Sequence, residues 1–288
     1  MIQTQWPLRW DLLSRYRLIE IIAYWEGRLT TKHLIDAFGI GRQQASKDIN
    51  TYLKTIAPGN LVYDKYIKGY RPSQAFIPKL TKGQTEEYLQ LVAAKQSLND
   101  TFTDLHLGLQ HAEALRVPLR NTRPEIIRAL ITAMREQQRL EVDYVSIVSP
   151  NRDGRIIVPH SIVNTGLRWH VRAWCEKNQD YRDFVLSRFR GEASLLGPSE
   201  HGLDGDSAWN TQIEIHVTAD QRLSPAQRDV VVRDYGMLNG RLTIPSRAAL
   251  AYYVLQQLNI DPNSIHAKPE AQQIVVQNLS DLEPYLFH

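Results

Sequence analysis

The stretch FGIGRQQASKDINTYL, residues 38–53, decides how the N-terminal part of this chain is interpreted. Its apolar residues recur at the helical period and predict a helix from about Arg42 to Ile56. The inward positions of this helix would be Ala45, Ile49, Tyr52 and Leu53. This apolar face suits a helix that reads DNA and an ordinary amphipathic core helix equally well. The polar face and the flanking sequence must therefore distinguish the two.

The segments on either side of this helix form a recognisable series. Apolar spacing predicts a helix over 9–25 that ends at Gly27, and a shorter one from Thr30 or Thr31 to Phe38. GIG at 39–41 is a tight turn. LVYDKYIKGYRP, residues 61–72, predicts a short hairpin around Asp64. Helix, helix, turn, helix and hairpin is the order of a winged helix-turn-helix.

In this motif the second helix of the pair lies in the major groove, with its N-terminal residues at the base edges. Arginine side chains suit guanine and glutamine side chains suit adenine, while serine and lysine reach bases or phosphates. The candidate base-reading residues are Arg42, Gln43, Gln44, Ser46 and Lys47. Phosphate contacts are expected from the start of the preceding helix and from the hairpin, at Thr31, Lys32, Lys65, Lys68 and Arg71.

The charge distribution favours the DNA-reading interpretation over a merely solvated helix. The net charge is only +3, but residues 1–72 carry eleven Lys/Arg against six Asp/Glu. Residues 200–288 carry the opposite imbalance, six against eleven. A basic N-terminal module indicates a polyanionic partner such as double-stranded DNA.

Composition and motifs argue against several other classes of protein. No apolar run approaches a membrane span, and the N-terminus lacks the apolar core of a signal peptide, so we expect a cytoplasmic protein without membrane contact. Cys175 is the single cysteine, which excludes an intrachain disulfide and a cysteine-based zinc site. His106 and His111 lack a convincing third ligand. No catalytic motif is present, so we expect no enzyme activity, metal or cofactor.

The rest of the chain divides by periodicity. The helical pattern gives way at Leu140 to alternating strands with turns every ten or so residues, and a β-α-β-α-β pattern follows a Gly-, Ser- and acid-rich stretch. Asp204 and Asp206 in that stretch are interpreted as solvated. The prediction is an α+β multidomain protein with a winged helix-turn-helix at 1–78, a helical connector at 79–138, a β-barrel at 139–192, a linker at 193–211 and a small α+β domain at 212–288.

Two predicted strands carry arginines among aromatic residues. LRWHVRAWC at 167–175 places Arg168, His170 and Arg172 on one face, and YRDFVLSRF at 181–189 places Arg182 and Arg188 on one face. Arginines and aromatic rings on adjacent strands would suit a nucleotide, a phosphate compound or a short single strand. The same spacing also fits ordinary exposed strand residues, and both interpretations remain open.

RWHVRAW followed by YRDFVLSRF resembles the core of the WYL domain, with Trp169, His170 and Val171 where that family has Trp-Tyr-Leu. The whole chain resembles bacterial WYL transcriptional regulators, and PHSIVNTGLRWHVRAW at 159–174 is most similar to repressors of phage-defence operons of the BREX and CBASS type. The resemblance implies an Sm-like, SH3-type WYL barrel and a homodimer that binds an inverted repeat near a promoter.

It also implies a nucleotide or single-stranded nucleic acid as effector in the barrel. The candidate ligand-binding residues are Tyr144, Ser146, His160, His170, Arg172, Arg182 and Arg188. An alternative is a nucleic-acid-processing or single-strand-binding protein whose main partner occupies that barrel.

Overall fold

The structure, a computed structural model, describes residues 9–98, 107–109, 112, 113, 115, 118, 120–147, 150 and 153–286. The chain divides into two compact units, residues 1–116 and 117–288. His106 and His111, together with most of residues 99–119 in the predicted helical connector, lie outside the described residues.

The first unit has the predicted winged-helix order. Its elements are α1 (Trp10–Glu26), α2 (Thr31–Phe38), α3 (Arg42–Thr51), β1 (Leu61–Asp64), β2 (Gly69–Pro72) and α4 (Thr85–Leu98). The helix after the GIG turn has the predicted extent, but its last five residues form a π-helical turn, Tyr52–Ile56. β1 and β2 pair as an antiparallel hairpin, which we call the wing.

A buried carboxylate holds the first unit together. Glu20, in the middle of α1, is fully buried. Its two oxygens accept hydrogen bonds from the Tyr52 hydroxyl at 3.0 Å, from the backbone N–H groups of Lys79, Leu80 and Thr81 at 2.9–3.0 Å, and from the Thr81 hydroxyl at 2.9 Å. A buried charge is tolerable only when it is hydrogen-bonded this completely. Glu20 therefore joins α1, the π-helical turn that follows α3 and the chain that follows the wing.

The second unit begins with a helix that packs on an antiparallel sheet. Its first elements are α5 (Pro124–Glu136), β3 (Gln138–Tyr144), β4 (Asp153–Asn164), β5 (Trp169–Cys175), β6 (Asp180–Val185) and β7 (Phe189–Pro198). The strand order is β6-β5-β4-β3-β7, and no pairing joins β6 to β7 in the described part of the chain. Ile126, Leu130 and Ala133 of α5 are buried with the inner face of this sheet.

The prediction of a linker across 193–211 is wrong for much of that range. Residues 193–198 belong to β7 and pair with β3. Gly191 and Gly197 adopt positive φ values of 61° and 103°, and the β3–β7 register shifts at two places. Glycines at strand irregularities look like loop residues in a sequence, which explains the error.

Asp206, interpreted as solvated, is 1% exposed and caps α6 (Ser207–Asn210).

The C-terminal part has the predicted alternation of strands and helices. Its elements are β8 (Gln212–Ala219), α7 (Pro225–Asp234), β9 (Arg241–Arg247), α8 (Ala251–Gln257), α9 (Pro269–Gln272), β10 (Ile274–Val276) and α10 (Leu279–Leu282). The sheet order is β10-β8-β9. Ser224 caps α7, and Pro225 occupies its first turn. None of the helices in the described ranges has the length and apolar character needed to cross a membrane.

Replacement of Glu20 by glutamine should destabilise the first unit. The amide would bring an NH₂ group against donors that now meet a carboxylate oxygen, so at least one buried donor would lose its acceptor. We expect a loss of about 3 kcal/mol, measured as a lower urea midpoint for the first unfolding transition of the full-length protein. Glu86→Gln, at an exposed position on α4, is the matched control. Equal midpoints for the two variants would contradict the structural role of Glu20.

Candidate nucleic-acid interface and ligand cleft

The turn between α2 and α3 sets the outer face of α3 towards solvent. Gly39 ends α2 with φ at 61°, and its N–H donates to the Ile35 carbonyl at 2.8 Å. Leu34 on α2 and Ala45 on α3 are both fully buried, so the small alanine lets the two helices approach closely. The opposite side of α3 is consequently a continuous polar surface.

Four of the five predicted base-reading residues share this surface. It forms a shallow depression lined by Arg42, Gln43, Ser46, Lys47, Asn50, Thr51 and Lys54. The last three lie beyond the N-terminal residues of the helix to which the sequence prediction was limited. Their spacing of four from Ser46, Lys47 and Asn50 is the sequence signal that could have identified them. The surface contains three cationic side chains and no carboxylate.

Gln44 differs from its neighbours because its amide has a partner. Its Nε2 donates to the Asp48 carboxylate at 2.7 Å. The buried Asp48 also pairs with Arg15 of α1 at 2.8 Å, and Arg15 pairs with Asp11 at 3.2 Å. This chain of charges fastens α3 to α1. Gln44 is therefore placed to orient the Asp48 carboxylate, and one of its two amide N–H donors is already in use.

The predicted phosphate-binding residues also differ in exposure and in whether a neighbouring side chain already pairs with them. Lys32 at the start of α2 is exposed, as are Lys65 and Lys68 in the wing turn, whereas Thr31 is half-buried. Arg71 on β2 pairs with Asp64 at 3.3 Å. Part of the Arg71 charge is therefore neutralised within the wing, whereas the exposed lysines are the better candidates for phosphate contacts.

A cleft of about 510 Å³ lies where β5 and β6 meet the C-terminal part of the second unit. The sheet supplies its basic wall, and α8 supplies a polar and aromatic wall. The first wall includes Arg168, His170, Arg172, Arg182, Asp183 and Arg188, and the second includes Tyr252, Tyr253 and Gln256. Four of the seven predicted ligand-binding residues are thus brought together.

Arg172 is the least available of these cations because it is buried and paired. Its Nε and Nη2 atoms donate to the two Asp206 oxygens at 2.7 and 3.1 Å, and Nη1 lies 3.4 Å from Asp183. β5 pairs Arg172 with Asp183 of β6, while Arg182 stands opposite Ala173. Arg172 therefore acts mainly as the centre of an ion-pair network.

This network reaches three parts of the unit. One Asp206 oxygen lies 3.1 Å from Nε2 of His160 on β4, and the other accepts the backbone N–H of Trp209 at 3.1 Å. Asp183 accepts a hydrogen bond from the Tyr253 hydroxyl of α8 at 2.9 Å. Burial raises the pKa of Asp183. Burial also opposes ionisation of Asp206, but the hydrogen bonds from His160 and Arg172 outweigh it and lower the pKa of that carboxyl.

His170 forms a neutral part of the cleft wall. Burial, together with the nearby charges of Arg168 and Arg188, lowers its pKa to about 4. Its Nδ1 atom is buried without a hydrogen-bond partner among the described residues, and its ring lies 5.0 Å from that of Tyr253. At neutral pH this imidazole supplies a polar edge and no charge.

The remaining three predicted ligand-binding residues do not line the cleft. Tyr144 is buried against Phe184 and Phe189, and its hydroxyl accepts the Val185 N–H at 3.0 Å. His160 is buried beside Asp206, and Ser146 lies elsewhere. Within the described ranges, no group of three or more histidine, cysteine, aspartate or glutamate side chains could hold a metal ion.

Comparison with known families gives three matches in the same order along the chain. Residues 11–94 match the BrxR transcriptional regulator winged helix-turn-helix domain, residues 125–192 match the WYL domain, and residues 212–282 match the BrxR transcriptional regulator C-terminal dimerization domain. The fold and the sites therefore define a winged-helix WYL regulator with a C-terminal dimerization domain.

Whole-chain relatives specify the family further. The DNA-binding transcriptional repressor CapW of Escherichia coli (strain KTE188) is 37% identical over 276 residues, which cover 95% of this chain and 91% of the relative. CapW of Pseudomonas aeruginosa is 33% identical over 96% of this chain and 92% of the relative. The chain belongs to this family of WYL-domain transcriptional regulators.

Among solved structures, the proteasome accessory factor B/C of Arthrobacter aurescens aligns over 96% of this chain and 46% of its own, at 13% identity and a TM-score of 0.30. A similarity this low supports no statement about function.

Asp206→Asn should destabilise the second unit, because it leaves the buried Arg172 charge with one carboxylate. We expect a loss of roughly 3 kcal/mol near neutral pH, measured by urea unfolding. Since the folded-state pKa of Asp206 lies below its ordinary value of 3.8, the stabilisation is fully present above that pH and is lost as the pH falls further. The gap between wild type and variant should therefore narrow in acid. Asp204→Asn, two residues away and exposed, is the control, and an equal effect there would refute the assignment.

Proposed function

We propose that this protein is a sequence-specific transcriptional repressor that binds an inverted repeat near a promoter as a homodimer. The observation that carries the proposal is the outer face of α3. It presents Arg42, Gln43, Ser46, Lys47 and Asn50 together on a helix that Leu34, Ala45 and the Arg15–Asp48 pair hold rigidly. A rigid helix with this set of side chains suits direct readout of base edges in the major groove.

Dimerisation explains why the operator should be an inverted repeat. The match of residues 212–282 to a dimerization domain supports a two-chain assembly, and a two-fold symmetric protein presents its recognition helices to two symmetric half-sites. Successive major grooves on one face of DNA are about 34–36 Å apart. The half-sites should therefore be separated by about one helical turn or a multiple of it.

The regulated genes and the cell compartment follow from the same proposal. The similarity to CapW repressors supports a regulator rather than an enzyme, acting in the cytoplasm. A phage-defence operon adjacent to the protein's own gene is the proposed target. A nucleic-acid-processing or single-strand-binding protein is the second candidate, favoured only by the basic cleft of the second unit.

The cleft is the proposed site of an anionic effector, a nucleotide or a short single-stranded nucleic acid. Arg168 and Arg188 have no carboxylate partner in the described part of the chain, and Arg182 lies 3.9 Å from the exposed Asp180. These arginines can bind phosphate, while the tyrosines of α8 can contact a base. Because Tyr252 and Tyr253 belong to the C-terminal domain, an effector would contact the WYL sheet and the dimerization domain together.

This arrangement gives the effector a route to the DNA-binding state. The Tyr253–Asp183 hydrogen bond links α8 to the ion pair of Arg172, so a phosphate that competes for Arg172 would weaken that link. An effector changes an equilibrium only as far as it prefers one of the two states. Repression would therefore respond to the difference in effector affinity between free and DNA-bound dimers.

Replacement of Arg42 by alanine should relax operator specificity. Fluorescence anisotropy with DNA from immediately upstream of the protein's own gene, against scrambled DNA of equal length, measures the effect. We expect a loss of roughly 1–3 kcal/mol on the operator and a much smaller loss on scrambled DNA. Lys65→Ala should weaken both complexes similarly and lower the salt slope by about one for each chain of the dimer. Unchanged operator selectivity in the Arg42 variant would show that α3 does not read bases.

Charge reversal at Arg188 should remove the response to effector while operator binding is retained. The probes are a mixture of nucleoside monophosphates and a set of short single-stranded oligonucleotides, titrated into the preformed operator complex. Arg135→Glu, at an exposed position on α5, is the control and should respond like wild type. Loss of operator binding by Arg188→Glu would instead indicate a structural role for that arginine.

A further inference from the structure

The first residue of β5 is an exposed tryptophan, although the rest of its strand face belongs to the core. Trp169 shares that face with Val171, Ala173 and Cys175, which are fully buried. Because Trp169 lies at the end of the strand, outside the core cluster, it remains 51% exposed. A large ring left in water contributes little burial to folding. Its position therefore requires another explanation.

Trp169 lines a second cleft of about 430 Å³, at the end of the sheet where β5 begins. This volume is within the range of about 300–1,000 Å³ that small-molecule sites occupy. The lining includes Arg120, Asn121, Asn164, Leu167, Arg168 and Trp169. No carboxylate lines the cleft in the described part of the chain. The site thus combines an aromatic surface, side-chain amides and positive charge.

The turn between β4 and β5 holds this cleft in shape. The backbone N–H of Thr165 donates to the Arg168 carbonyl at 3.0 Å. From α8, Nε2 of Gln257 donates to the Thr165 carbonyl at 3.0 Å. From the other side, Nη1 of Arg120 donates to the Leu167 carbonyl at 3.0 Å. The turn is bonded to segments on both sides, so the site is pre-formed.

The groups in the second cleft suit one nucleotide of a single strand. An exposed indole is a stacking surface for a base of any type. Side-chain amides can form hydrogen bonds with the edge of a base, and Oδ1 of Asn164 already accepts the Gly166 N–H at 2.8 Å, which leaves its NH₂ group as the donor for a ligand. Arg120 and Arg168 can bind phosphate.

The two clefts of the second unit share Arg168. This arginine lines the first cleft with His170 and the second with Trp169. Successive residues of a strand point to opposite faces, so His170 and Trp169 lie on opposite faces of β5. Arg168 precedes the strand, where the two faces meet. A phosphate bound there can direct one nucleoside into each cleft, whereas a mononucleotide has only one base to place.

We propose that the cleft around Trp169 is a second base-binding site. The effector is accordingly a single strand of two or more nucleotides, with a phosphate at Arg168 and a base stacked on Trp169. The inference rests on the proposed effector site in the first cleft, and it selects between the nucleotide and the single strand that the first cleft alone leaves open. The second base would also contact residues 120–122, which precede α5.

The test measures binding of short single strands to the full-length protein. Isothermal titration compares thymidine 5′-monophosphate, trithymidylate and a set of trithymidylates in which a stable abasic residue replaces one nucleotide at a time. Wild type should bind trithymidylate at least about tenfold more tightly than the monophosphate, because stacking of one further base is worth roughly 1–3 kcal/mol. Loss of the base that contacts Trp169 should remove this gain.

Variants at Trp169 separate a direct contact from a structural role. Trp169→Ala should bind intact trithymidylate about tenfold more weakly than wild type and be indifferent to the abasic residue that weakens wild type. Trp169→Phe keeps an aromatic face and should recover most of the affinity. Trp10→Ala removes an exposed tryptophan of the first unit and is the matched control, which should bind like wild type. Equal melting temperatures for the four proteins exclude unfolding as the cause of any difference.

Several outcomes would overturn the inference while the repressor proposal still stands. They are equal affinities of wild type for the monophosphate and trithymidylate, binding of neither, or an abasic penalty that Trp169→Ala retains. Dissociation of the Trp169→Ala dimer in sedimentation would place the indole at a contact between chains and would also overturn it. If wild type binds trithymidylate as expected but does not distinguish operator from scrambled DNA, the repressor proposal fails and the base-binding site stands.

Discussion

The second unit is organised around the neutralisation of one buried charge. The guanidinium of Arg172 is almost inaccessible to water, so it must be paired, and Asp206 and Asp183 approach it from different parts of the chain. Asp206 comes from the segment before β8, and Asp183 is itself bonded to Tyr253 of α8. Satisfying this charge fixes the position of the C-terminal elements against β5 and β6. The same requirement forms the cleft, because its two walls are the elements that the network joins.

The DNA-binding unit uses the same principle for a different purpose. Glu20 and Asp48 are buried carboxylates whose oxygens meet donors from distant segments. Asp48 fastens α3 to α1, and Glu20 fastens the π-helical turn that follows α3 to the same helix. Hydrogen bonds between charged groups have strict geometry, so they restrict the position of a helix to a narrower range than apolar packing does. A helix that reads base edges depends on such positioning. The buried polar groups of this small unit therefore fix the position of α3 relative to α1.

The two candidate sites differ in how well the sequence predicted them. Arg42, Gln43, Ser46 and Lys47 lie together as expected because they belong to one helix, where spacing dictates which side chains share a face. The cleft depends on residues far apart in sequence: Tyr144 and His160 lie outside its lining, whereas Tyr252, Tyr253 and Gln256 line it and could not be identified from local spacing. Gln44 has a residue type and a position that suit base reading, but only the tertiary structure shows that its amide is bonded to Asp48.

By itself the sequence determined the order of elements, the winged-helix module and the polar face of α3, because periodicity, capping residues and turn residues act over a few positions. Only the tertiary structure decided that residues 193–198 complete a sheet and that Asp206 is a buried partner of Arg172. Pairing of strands and of charges across tens of residues depends on which distant groups meet. A stretch rich in glycine and acids has the same local signature whether it is solvated or buried against an arginine.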